Sequence, residues 1–183
     1  MEAFVYLRVR PGSIGPVRNR LTSTATARRS VVVIGNWDVL CLIDGPDLVT
    51  VATGVLSELQ RIEGVERTLT APVVPPDRLG VVGFGGLPTP QIIRGACYVH
   101  IEADAGAAAG LYERLSEIGG VSGAAVLGGR WDLMACIPEP WEVASAIVLD
   151  KIHALPGIRS TSTLVSVDYE EPEEDRDQFS SWS

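Results

Sequence analysis

Few residues in this 183-residue chain are of types that do covalent or metal chemistry. Histidine occurs twice, at His100 and His153, and cysteine three times, at Cys41, Cys97 and Cys136. Neither histidine has another histidine or a cysteine at helical or turn spacing, so no metal site is expected. No serine or cysteine can be matched with a base, and a lone histidine reads as structural rather than catalytic. The glycine-rich "GVVGFGG" at 80–86 lacks the Gly-Lys-Ser/Thr that would hold a phosphate. What does recur is "GNWDVL" at 35–40 and "GRWDLM" at 129–134. Gly35 and Gly129 suit a turn that needs positive φ, and the amides of such a turn can also face a ligand's carboxylate. Asp38 and Asp132 can bond turn amides or meet a ligand's ammonium group. Trp37 and Trp131 can pack a neighbouring subunit or wall a ligand's side chain. Both readings stay open for each residue. Arg130 stands where the first copy has Asn36, so the two turns are not equivalent.

Composition sets the outer bounds. Hydrophobic residues make up 46% of the chain and aromatics 6%, so the core must be mainly aliphatic. No apolar run reaches the roughly 18–20 residues of a membrane span, and no signal-peptide pattern opens the sequence. The cysteines lie in apolar, strand-like stretches without C-x-x-C spacing, which fits a reducing, cytoplasmic setting. The net charge of −8 is concentrated at the end: residues 168–183 hold one Arg and seven acids. Neither half has the basic surface that direct nucleic-acid binding requires.

The two hairpins belong to a longer internal repeat. "FVYLRVRPG" (4–12) aligns with "YVHIEADAG" (98–106), and "VLSELQRIEGVERTLT" (55–70) with "VLDKIHALPGIRSTST" (148–163). Each copy opens on a strand with period-two alternation, Val5, Leu7 and Val9 on one face and Phe4, Tyr6 and Arg8 on the other. A helix follows, at 14–24 or 107–118, then two short apolar runs split by the Gly turn. A second helix starts after Pro46-Asp47 or Glu139-Pro140 and stops at Gly64 or Gly157. A last strand covers 65–74 or 158–167. The order is βαββαβ, so the predicted class is α+β with two tandem ferredoxin-like units. The division is 1–74, a Pro/Gly-rich linker 75–95, 96–168, and a disordered acidic tail 169–183. Leu79, Val81, Val82 and Phe84 lay the linker on a surface, and Phe179 and Trp182 give the tail docking side chains.

These stretches resemble the effector-binding (RAM) domain of Lrp/AsnC transcription regulators. "AFVYLRVRPG", "VIGNWDVLCLI" and "VLSELQRIEGVERTLT" carry the likeness in the first copy; "VLGGRWDLMACI" and "VLDKIHALPGIRSTSTL" carry it in the second. The resemblance implies a dimeric α/β barrel, here as a pseudo-dimer within one chain. It also implies small effectors, commonly amino acids, bound near Gly35, Trp37 and Asp38, and Gly129, Trp131 and Asp132. Residue 4 already begins a strand, so a helix-turn-helix is not expected ahead of it.

The expected function is amino-acid sensing with no chemistry of its own and no cofactor. The output is oligomerisation or mixed assembly with DNA-binding relatives. The rival is a dimeric α/β barrel enzyme, monooxygenase-like or haem-modifying, with a cavity lined by Tyr6, Tyr98 and His100. A third reading is an oligomerising domain that binds no small molecule. One interface is predicted: Arg8 and Arg10 in the first copy correspond to Glu102 and Asp104 in the second, and unlike pairing would set opposite charges face to face.

Overall fold

The structure, a computed structural model, describes residues 1–24, 26, 27, 29–80 and 86–169. Eight strands close into one antiparallel barrel. In chain order they are β1 (Glu2–Val9), β2 (Arg29–Ile34), β3 (Val39–Asp44), β4 (Val65–Val74), β5 (Cys97–Ala103), β6 (Gly123–Leu127), β7 (Leu133–Ile137) and β8 (Ile158–Val167). Around the barrel the order is β1-β3-β2-β8-β5-β7-β6-β4. Residues 2–74 therefore supply one run of four strands and residues 97–167 the other. The runs join where Val32–Ile34 meets Val165–Val167 and where Val73 and Val74 meet Val126 and Leu127. Closure leaves no strand edge exposed, which removes the usual liability of a four-stranded sheet. All neighbours are antiparallel, so β1, β2, β5 and β6 run towards one mouth of the barrel. Both Gly-x-Trp-Asp hairpins lie at that mouth.

Four helices cover the outside: α1 (Ile14–Thr22), α2 (Leu48–Ser57), α3 (Ala108–Ser116) and α4 (Trp141–Ala146). Asp47 caps α2, its Oδ1 accepting the Thr50 N–H at 2.8 Å, and that bond holds its carboxyl below the usual range. Pro140 begins α4 without a side-chain cap, and the helix continues as a π-helical stretch over Ile147–Ile152. The second helix of each half, expected to run up to Gly64 or Gly157, thus ends early, at Ser57 before a 3₁₀ turn at Leu59–Arg61 and at Ala146 before the π-helical stretch.

Strand alternation divides the core into three. Ala3, Val5, Leu7 and Val9 pack under α1 and α2, and Cys97, Val99, Ile101 and Ala103 under α3 and α4. Phe4, Tyr6 and Tyr98 point into the barrel with Trp37, Trp131 and Met134. The three cysteines are buried free thiols. Burial pushes the Cys41 thiol up to about 12, so it packs as a hydrophobe.

Part of the 75–95 segment closes the barrel floor. The Tyr98 hydroxyl accepts the Ile93 N–H at 2.7 Å, and its one proton faces the Gln91 and Ile93 carbonyls, 3.0 and 3.1 Å away. Tyr112 donates to the Leu87 carbonyl, and Ala124 N–H to that of Pro88. Ile92 packs on the interior cluster. Val81, Val82 and Phe84, and the tail's Phe179 and Trp182, lie outside the described residues. No helix among the described residues is long and apolar enough to cross a membrane.

Candidate functional site

Each hairpin is locked to the strand beside it by its aspartate. The Asp38 N–H donates to the Leu7 carbonyl at 3.0 Å, its own carbonyl accepts from Val33 N–H at 2.9 Å, and its Oδ2 accepts the Val9 N–H at 2.8 Å. Asp132 repeats the set with Ile101 (3.0 Å), Leu127 (2.8 Å) and Ala103 (2.7 Å). The register slips between Arg8 and Val9, and again between Glu102 and Ala103. A bulge leaves an N–H without a ladder partner, and the carboxylate supplies one. The turn-bonding role of Asp38 and Asp132 is therefore built in, and each keeps a second oxygen, Oδ1.

Gly35 and Gly129 have φ of 144° and 132°, the region side-chain-bearing residues avoid. The turns send Trp37 and Trp131 inward. Both indoles are about 5% exposed and roof the barrel interior. Trp131 stacks on His100 with ring centroids 4.1 Å apart and meets Tyr6 edge-on at 5.0 Å; Trp37 lies 5.9 Å from Tyr6. Arg67 covers the Trp37 ring at 5.8 Å and Arg130 the Trp131 ring at 5.5 Å. These cation–π contacts put guanidinium groups at the mouth and rings beneath.

Under the indoles, Tyr6 and His100 share a 2.7 Å hydrogen bond between Oη and Nε2. The Tyr6 hydroxyl also lies 3.6 Å from Met134 Sδ. One hydroxyl proton cannot serve both, so the histidine tautomer decides which bond is made. Among the described residues His100 Nδ1 has no hydrogen-bond partner. Burial drives the His100 pKa down to about 3, against a weaker upward pull from the Ser162 backbone that falls short of a hydrogen bond at Nδ1. Burial likewise raises the Tyr6 hydroxyl far above its ordinary value. Both groups are neutral at physiological pH.

The neutral ring makes stability depend on pH. An unfolded histidine near 6.5 takes up a proton that the folded ring refuses, so the fold is fully stable above about pH 6.5 and loses stability as pH falls towards about 3. The expected slope approaches about 1.4 kcal/mol per pH unit. Urea midpoints between pH 7.5 and 5 should fall more steeply in the wild type than in His100→Gln; parallel profiles would show that the ring is charged in the fold.

The predicted interface does not form within the chain. Arg8 pairs with Asp38 at 3.4 Å and donates to the Asn36 carbonyl, while Glu102 accepts from Ser160 Oγ at 2.9 Å. The ion pairs among the described residues are Arg8–Asp38 and Arg94–Asp168. The reason is topological: β1 and β5 stand on opposite sides of the barrel, with three strands between them in either direction. Arg10 and Asp104 are exposed. His153, outside the barrel, bonds Thr161 at 2.7 Å.

Nothing in the sequence marks the rim residue Arg67 or the interior Met134; Arg130 stands out there only as the residue that replaces Asn36. Arg67 lies opposite Arg8 only through the β1–β4 register, which no local pattern announces. Among the described residues no group of three His, Cys, Asp or Glu could hold a metal ion.

No protein-family model matches the sequence, and no curated protein matches it. Solved structures are similar in fold. The siroheme decarboxylase NirDL matches over 92% of this chain and 71% of its own, with 12% identity and a TM-score of 0.66. TTHA0845 from Thermus thermophilus is 26% identical over 38% of this chain and 86% of that one, with a TM-score of 0.36. E. coli AsnC is 19% identical over 68% and 73%, also at 0.36. The NirDL match corrects the expectation of a protein without chemistry of its own. The fold adopted here is also that of an enzyme, so the architecture does not set catalysis aside.

Proposed function

We propose that this chain is a small-molecule-sensing regulatory module of the Lrp/AsnC kind, built from two duplicated units closed into one barrel. The effector, an amino acid or related metabolite, is received at the Gly-x-Trp-Asp hairpins. The observation carrying this is that both hairpins are held in one geometry at one mouth. Each offers a Gly turn, an aspartate with a second carboxylate oxygen and an indole-backed arginine. The output is association with other copies or with DNA-binding relatives. Its support is the apolar surface left on the outer helices: Val49 and Leu56 on α2, Trp141 and Val143 on α4, and Leu149 in the π-helical stretch.

A thermal-shift screen of the twenty amino acids tests the reading. At about 100-fold over Kd a ligand adds about 2.7 kcal/mol, and at this size each kcal/mol moves Tm by about 2–4 °C. Alanine at Asp38 or Asp132 would strip a bulge N–H of its partner and confound the control. Asp38→Asn and Asp132→Asn keep the acceptor while removing the charge, and the two together should abolish the shift. No shift with any amino acid, from a protein that still assembles, would favour the oligomerising domain instead.

The second reading places chemistry inside the barrel, and His100, bonded to Tyr6 through Nε2 and with no partner for Nδ1 among the described residues, favours it. Tyr6 meets the rings of Trp37, His100 and Trp131 across the interior, and His100 stacks on Trp131, so a tetrapyrrole there would have to displace these rings. A smaller substrate would have to displace an indole. A purified protein carrying a chromophore would support this reading; a colourless protein whose spectrum ignores added haem would reject its tetrapyrrole form.

A further inference from the structure

The two hairpin corners share a frame but are finished differently. In the first, the guanidinium of Arg8, the residue before the bulge, is held by Asp38 Oδ1 at 3.4 Å and by the Asn36 main-chain carbonyl. A cationic group thus sits between a carboxylate oxygen and a carbonyl of one hairpin. In the second, Asp132 makes the same bonds to the backbone, but the residue before the bulge is Glu102. The hairpin's own Arg130 lies over the Trp131 ring rather than on Asp132. Among the described residues Asp132 has no basic partner, and the ion pairs found there do not include it.

We infer that the Asp132 corner is a cation-recognition site for the primary ammonium or guanidinium group of a small ligand, and that Arg8 occupies the matching position in the Asp38 corner. The acceptors are Asp132 Oδ1 and the Arg130 main-chain carbonyl, the counterparts of the two groups that hold Arg8 in the first corner. The first corner is the internal reference: the same aspartate and the same carbonyl position hold a cation there. Charge-assisted bonds of this kind are short and strong, and a carboxylate beside a carbonyl suits either donor group. The inference rests on the hairpins being ligand sites, and deepens that reading by assigning binding to one corner and naming the group bound.

Titration calorimetry of the full chain with L-leucine, L-lysine and L-arginine, with N-acetyl-L-leucine as the control without an ammonium group, tests it alongside thermal melts. The wild type should bind one equivalent of an amino acid and none of the acetylated control. Glu102→Arg should weaken binding at least tenfold and melt above the wild type, because the new guanidinium meets Asp132 as Arg8 meets Asp38. Arg8→Glu should admit a second equivalent. Binding that Glu102→Arg leaves intact, two equivalents in the wild type, or equal binding of N-acetyl-L-leucine would overturn the assignment while leaving the hairpin reading in place. If no amino acid binds, a Glu102→Arg chain that melts higher supports the cation site and removes amino acids as its ligands; one that melts no higher overturns both.

Discussion

Trp131→Ala should cost about 3–5 kcal/mol of stability, the range for removing a large aromatic from a packed core. The indole is 4% exposed, stacks on His100 at 4.1 Å and meets Tyr6 at 5.0 Å, so its loss opens the barrel over the one buried histidine. Two effects then separate. Lost burial lowers the urea midpoint at every pH. Water reaching His100 also lets its pKa rise from about 3 towards the ordinary value, which flattens the acid-side fall in stability. Trp131→Phe keeps a ring over His100 and should lose much less. Trp37 touches Tyr6 alone among the rings, at 5.9 Å, so Trp37→Ala should lose less than Trp131→Ala. A Trp131→Ala chain within about 1 kcal/mol of the wild type, far below the core-truncation range, would mean that the indole is a ligand wall and not part of the core.

Gly35→Ala should destabilise more than Gly129→Ala, although the two glycines hold the same place in their hairpins. Both have positive φ, so alanine strains either backbone by about 1–3 kcal/mol. At Gly35 the new methyl would also stand 2.7 Å from Leu164 Cδ2 and 3.1 Å from the Thr163 carbonyl oxygen. Leu164 is 1% exposed and has little room to yield, which adds about 1–3 kcal/mol of overpacking. At Gly129 the nearest atom is the Thr70 carbonyl oxygen at 4.0 Å, so only the backbone term applies. Paired chemical denaturation measures the difference. Equal losses would show that Leu164 moves aside and that β8 is not pressed against the first hairpin.

The element order was readable because it rests on local signals. Period-two alternation placed Val5, Leu7 and Val9 on one face of the first strand, and they do pack under the helices. The Gly turns of the hairpins and the helix start after Pro46-Asp47 marked boundaries that the structure keeps. The second helix of each half is shorter than its pattern implies, because a regular apolar pattern does not distinguish α-helix from the 3₁₀ and π turns that finish it. The Gly, Trp and Asp of each hairpin were legible as a group. What each does was not: a tryptophan beside a turn can face a neighbour or the interior, and only barrel closure turned both inward.

The sequence by itself determined two βαββαβ orders, the apolar faces of their strands and the positions of the hairpins, since these depend on residues a few places apart. Tertiary structure decided the rest. Which strands adjoin is set by closure of the barrel, so Arg8 finds Asp38 on its own hairpin and not Glu102 across the mouth. The Tyr6–His100 bond joins residues 94 positions apart. Its neutrality comes from desolvation, which exists only once both sheets and both indoles surround it. The difference between the Asp38 and Asp132 corners is spelled in the sequence as Arg against Glu, but it acquires meaning only where the bulge sets that residue beside the carboxylate.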